Sequence, residues 1–81
     1  MKIDVFYTGG GIWLAEVDIS ADAFAVVSSD YPAELVLYKN VDEERYYPED
    51  MISATHKDKL PHDLRVIYDK LLAELSKKAP I

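Results

Sequence analysis

Three consecutive glycines, Gly9, Gly10 and Gly11, stand between two runs of alternating apolar and polar residues, and this constrains the chain more than any other feature. In residues 2–8, Ile3, Val5 and Tyr7 alternate with Lys2, Asp4 and Phe6; in residues 12–20, Trp13, Ala15, Val17 and Ile19 share one face. A period of two is that of a β-strand. A one-residue slip between paired strands exchanges their faces, so the pattern fixes the length of the turn. A two-residue loop scatters the apolar residues over both sides. A three-residue loop pairs Tyr7 with Trp13, Val5 with Ala15 and Ile3 with Val17, and gathers them on one face. Such loops want positive φ, which glycine adopts without strain. The same register sets Phe6 against Leu14, Lys2 against Asp18 and Asp4 against Glu16 on the opposite face. The last pair is like-charged and asks for a neighbouring cation, such as Lys39 or Arg45.

The alternation continues through residues 24–29, with a turn at 20–23 that pairs Ile19 with Phe24 and Val17 with Val26. Tyr31-Pro32 ends this strand, because proline has no amide hydrogen to donate and restricts the residue before it. Residues 34–39 read as a fourth strand and 45–47 as a short fifth. Pro48-Glu49-Asp50 has the look of a helix start, with proline first and acids near the positive dipole end. The local pattern leaves 48–55 open between helix and strand.

Residues 61–78 predict an amphipathic helix. Leu60, Leu64, Ile67, Leu71 and Leu75 step by four, three, four and four, widened by Tyr68 and Leu72. Pro61 suits the start, Asp63 the first turn, and Lys77 and Lys78 the last. A lone helix of this length has little stability, so it must lie on the sheet. The expectation is one α+β domain over residues 1–81, an antiparallel meander of four to five strands under one helix. A single helix covers one sheet face. The other face, carrying Phe6, Leu14, Val27, Val36 and Tyr38, is expected to need a further cover.

With 81 residues there is room for one domain, and little stability to spare. The chain has no cysteine, which removes disulfides and thiolate metal sites and fits a cytoplasmic location. Met1-Lys2-Ile3-Asp4 places an acid where a signal peptide needs an apolar run, and no stretch is long and apolar enough to span a membrane. Nine basic against fifteen acidic residues give a net charge of −6. Duplex nucleic acid needs a basic stripe to release counterions, so direct nucleic-acid binding is not expected, nor is an anionic membrane.

Candidate chemistry is sparse, and each signal has a plainer structural reading. A phosphate loop needs a lysine and a following helix, whereas Gly9–Gly11 precede a strand. His56, Asp58, His62 and Asp63 have the only spacing that resembles a metal site, since imidazole and carboxylate both bind zinc. The plainer reading is a solvated loop and a helix-start acid among lysines. Ser28, Ser29 and Ser53 lack the elbow that frames a nucleophile. Asp4 with Glu16, or Glu49 with Asp50, read as surface pairs before they read as an acid–base couple. Asp42, Glu43 and Glu44 beside Tyr46 form an acidic, aromatic patch that suits a basic partner, as a nucleic-acid mimic would.

The opening Met1-Lys2-Ile3-Asp4-Val5-Phe6-Tyr7-Thr8-Gly9-Gly10-Gly11-Ile12 resembles the start of short bacterial proteins of unknown function, loosely associated with mobile elements. Tyr47-Pro48-Glu49-Asp50-Met51-Ile52 is similar in character. The resemblance covers only these two stretches, implies no activity or cofactor, and favours an accessory role over an enzyme. The sequence therefore points to a non-catalytic interaction module without a cofactor, a homodimer or the partner of another protein. Phe6 and Leu14 are the expected contact surface, with Tyr46, Asp42, Glu43 and Glu44. The alternatives are a small metal-binding protein or enzyme built on His56, Asp58, His62 and Asp63, and an acidic inhibitor.

Overall fold

A computed structural model describes residues 1–41 and 47–79. Five strands form one antiparallel sheet in the order of the chain: β1 (Asp4–Gly9), β2 (Ile12–Asp18), β3 (Ala23–Ser28), β4 (Glu34–Lys39) and β5 (Met51–His56). A single helical turn, α1 (Tyr47–Asp50), precedes β5, and a 3₁₀ turn (Lys57–Lys59) follows it. The long helix α2 (His62–Lys78) then packs across the sheet. The α+β meander read from the sequence is the architecture observed.

The first hairpin has the anticipated register: Tyr7 faces Trp13, Phe6 faces Leu14, Val5 faces Ala15 and Asp4 faces Glu16. All three loop glycines have positive φ, at 94°, 62° and 81°. The turn is secured by its own side chains. The Gly11 amide donates to the Tyr7 hydroxyl at 2.8 Å, and the Thr8 hydroxyl donates to the Ile12 carbonyl at 3.0 Å.

The next turn departs from expectation, and the consequence reaches the core. Val17 faces Ala25 and Asp18 faces Phe24, one residue away from the register expected. The Ser20 hydroxyl accepts from the amides of Asp22 and Ala23, both at 3.1 Å, while the Ile19 amide donates to the Ala23 carbonyl at 3.0 Å. This side-chain cap closes the loop one residue early. Because strand faces alternate, every residue of β3 changes sides. Ala25 and Val27 join the helix-side core, and Phe24 and Val26 lie on the far side.

Two cores result. Under α2 lie Ala15, Val17, Ala25, Val27 and Leu35, closed by Tyr68, Leu71, Leu75 and Ala79. Small residues oppose large ones across β2 and β3 (Ala15 with Val27, Val17 with Ala25), which lets the helix sit close. The leucine stripe read from the sequence is the buried side of α2, and Arg65, Asp69 and Lys70 are exposed. On the opposite face, Leu14, Phe24 and Val26 are buried, with Phe6, Ile12, Tyr38 and Tyr47 packed against them.

The fifth strand is Met51–His56, which decides the open reading of 48–55: a helical turn first, then a strand. Tyr47 belongs to α1 and not to a strand at 45–47; residues 45 and 46 of that expectation lie outside the described residues. Strand β5 pairs with β4 through Thr55 opposite Leu35 and Ser53 opposite Leu37, then shifts so that Met51 faces Tyr38. Ile52 is thus an extra residue, a bulge near the beginning of an edge strand.

Candidate interaction surface

The far face of the sheet carries its own cover. Tyr47, delivered by α1, stands over Phe24 and Tyr38, with ring centroids 5.8 and 5.0 Å away. Tyr38 stacks on Phe24 at 5.3 Å and 19°. Burial of its ring raises the Tyr38 hydroxyl pKa above the ordinary tyrosine value. The Tyr47 hydroxyl donates to Glu16 Oε2 at 2.9 Å. Of the like-charged neighbours Asp4 and Glu16, Glu16 thus gains a hydroxyl donor, and Lys39 lies two strands away opposite Ala23. Arg45 lies outside the described residues.

Two residues of the expected contact surface lie beneath this cover. Leu14 is 8% exposed within the Phe24 and Val26 cluster, and Phe6 is half-buried against it. Neither offers an open patch. The cover comes from Tyr47, which no local pattern announced. Tyr46, Asp42, Glu43 and Glu44 lie outside the described residues. Lys2, Asp4, Glu16 and Asp18, the charged residues set against one another in the first hairpin, line a recess at the end of β1 and β2.

The His/Asp set is brought together only in part. His56 Nδ1 lies 3.3 Å from Asp58 Oδ2 and also accepts the Asp58 amide at 3.2 Å. One nitrogen cannot do both at once, since accepting the amide needs its lone pair and donating to the carboxylate needs a proton on it. His62 and Asp63 are exposed on the first turn of α2. Among the described residues no group of three or more His, Asp or Glu side chains is placed to hold a metal ion.

Among the described residues, two neighbouring large apolar side chains are exposed on strand β5. Met51 and Ile52 are each 52% exposed, and Ala54 is exposed as well. From Met51 to Thr55 the strand has no charged side chain. Helix α2 packs over β2 and β3 with its margin on β1, so β5 lies beyond it. Near the other end of β5, Pro32, Ala33, Lys57, Tyr68 and Leu72 line a shallow open cleft. Tyr68 donates to the Pro32 carbonyl at 2.7 Å, and Arg65 donates to the Lys57 carbonyl at 3.0 Å. Burial raises the Tyr68 hydroxyl pKa, with Arg65 opposing and Asp69 and Asp58 adding to the rise. Residues 48–55 stayed open between helix and strand in the sequence because the bulge and the uncharged run of β5 break the alternation.

No family model, no curated protein and no solved structure matches the chain. No helix among the described residues is long and apolar enough to cross a membrane.

Proposed function

We propose that the chain is a non-catalytic protein–protein interaction module that self-associates in the cytoplasm and works through the exposed margin of its sheet. The observation that carries this reading is the edge strand β5, where Met51 and Ile52 are half in water on a strand without a charged residue. Sheet edges present unpaired amides and carbonyls, and chains normally protect them with charge, proline or a covering element. The cleft near the end of β5, lined by Pro32, Ala33, Lys57, Tyr68 and Leu72, is open, a form that suits contact with a protein surface better than the enclosure of a small substrate.

The test compares the wild type with a Met51→Lys/Ile52→Lys variant as bait in extracts of the source cell and by light scattering. Both substitutions fall on exposed positions, so the variant is expected to fold with a near-native melting curve. A partner or second copy held by the wild type and lost by the variant supports the reading. Equal behaviour of the two proteins, with or without partners, overturns it.

A further inference from the structure

We infer that the partner of β5 is a second copy of this chain, joined edge to edge in antiparallel orientation to make one ten-stranded sheet. This rests on the interaction-module reading and adds the occupant and the direction of pairing.

The backbone supplies the first argument. The Lys57 amide donates to the Ala33 carbonyl at 2.8 Å, continuing the register in which Thr55 faces Leu35 and Ser53 faces Leu37. Along an antiparallel strand, successive residues turn their amide and carbonyl to opposite sides. Ser53, Thr55 and Lys57 therefore bond to β4, and Ala54 and His56 present theirs to the free edge. A second strand laid there completes a ladder that no strand among the described residues fills.

The side chains supply the second argument, because they name the strand that fits. Reading along the chain, β5 is preceded by Glu49 and Asp50, is uncharged from Met51 to Thr55, and is followed by His56, Lys57, Asp58 and Lys59. Lys57 and Lys59 outnumber Asp58, which lies 3.3 Å from His56 Nδ1, so this stretch carries a net positive charge, with Glu34 opposite His56 on β4. An antiparallel copy sets each acidic end against a basic end, twice per dimer, through the two-fold axis. A parallel copy sets acid against acid. The segment is its own electrostatic complement.

The other edge argues the contrast. Strand β1 carries Asp4 inside the strand with Lys2 just before it, and α2 overlaps its margin. Charge on an edge strand is a standard guard against pairing. β5 has no charged side chain from Met51 to Thr55, and its edge device is the bulge at Ile52.

Two charge-reversed variants decide the orientation. One carries Lys57→Glu and Lys59→Glu, the other Glu49→Lys and Asp50→Lys. If the inference holds, wild type has twice the 9.2 kDa chain mass by light scattering, and each variant alone associates about ten-fold more weakly, roughly 1.4 kcal/mol. Mixed together, they recover the dimer, because both end contacts are then opposite in sign. Since the chain has no native cysteine, Ser53→Cys, Ala54→Cys and Thr55→Cys report position in parallel. The residue at the axis should form a covalent dimer at least about ten-fold faster than Asp4→Cys or Thr8→Cys on β1.

Wild type that stays monomeric, or a mixture no tighter than its components, overturns the inference. So does crosslinking confined to β1; a dimer of that kind leaves self-association intact and fails only the β5 assignment. A monomer that still captures another protein, and loses it with Met51→Lys/Ile52→Lys, fails the second-copy occupant and keeps the interaction module.

Discussion

Tyr47 and Glu16 are joined by a hydroxyl–carboxylate hydrogen bond of 2.9 Å across 31 positions of sequence, and this bond ties the cover of the second core to its floor. Glu16 lies on β2 between Leu14 and Asp18, on the same face as the buried Phe24 and Val26. The ring of Tyr47 fills the space above them, and its hydroxyl fixes where the ring sits. Removing only the hydroxyl, with Tyr47→Phe, should cost about 1 kcal/mol, the usual net worth of a partly buried hydrogen bond. Tyr47→Ala loses the ring as well and should cost several times more. Chemical unfolding of both variants checks the ratio. Equal costs would mean that the ring contributes no packing.

The glycine loop should resist β-branched residues for a backbone reason alone. A Cβ at Gly9, Gly10 or Gly11 would meet no atom within 4 Å, so space is not the obstacle. Positive φ is. Valine at any of the three is expected to cost about 1–3 kcal/mol, while asparagine, which tolerates this region, should cost less. Urea midpoints for the two series provide the comparison, and equal midpoints would contradict it.

On α2 the contrast between faces should be large. Leu71 is fully buried, and Leu71→Ala is expected to destabilise by about 2–5 kcal/mol. Arg65 is exposed, bonded to Asp69 at 3.3 Å and set 5.7 Å from the Tyr68 ring centre. Contacts of that kind in water are worth about 1 kcal/mol or less, so Arg65→Ala should remain below that figure. Similar losses at both positions would place the buried stripe elsewhere.

Tyr68 and Tyr38 give the fold a sensitivity to alkali. Burial favours the neutral hydroxyl, so each pKa is higher in the folded chain than in the unfolded one. Above the unfolded value near about 10 the folded state holds more protons, so stability must fall as pH rises further. Below that pH the contribution is fully present. Below the unfolded pKa Tyr68→Phe should lose a small increment from the bond that the hydroxyl donates to the Pro32 carbonyl at 2.7 Å, and above it show a shallower alkaline decline than wild type. Melting temperatures between about pH 8 and pH 11 would show this, and parallel curves would exclude it.

The elements that could be read in advance are those whose cause is local. Gly9, Gly10 and Gly11 between two alternating runs fix a hairpin register, and the four-three-four-four spacing of the leucines fixes one helix face. The register of β3 was not legible because it depends on two bonds accepted by one hydroxyl, Ser20, which shorten a loop by a residue. That single residue moved Phe24 and Val26 from one core to the other. β5 was hidden by the bulge at Ile52, which cancels the period of two just where the strand begins. The position of Tyr47 is a long-range outcome of both, since it packs on Phe24 only because Phe24 faces that way.

Leu14 is buried and Ile52 is exposed, and lysine at each should separate core from surface. Leu14 lies in the second core at 8% exposure, ringed by Phe24, Val26 and the covering aromatics. Lysine there must bury an ammonium or push the cover aside, so Leu14→Lys is expected to cost at least the roughly 2–5 kcal/mol of a buried leucine deletion. In a domain this small such a loss approaches the whole stability, and near-complete unfolding at body temperature is the expected result. Ile52 is 52% exposed at the bulge of an edge strand, where a lysine head can remain in water. Ile52→Lys should therefore melt within a few degrees of wild type, a shift of about 0.5 kcal/mol or less. Circular dichroism melts of the two variants, run beside wild type, give the answer directly. A folded Leu14→Lys with an unfolded Ile52→Lys would reverse the assignment of core and surface on this face.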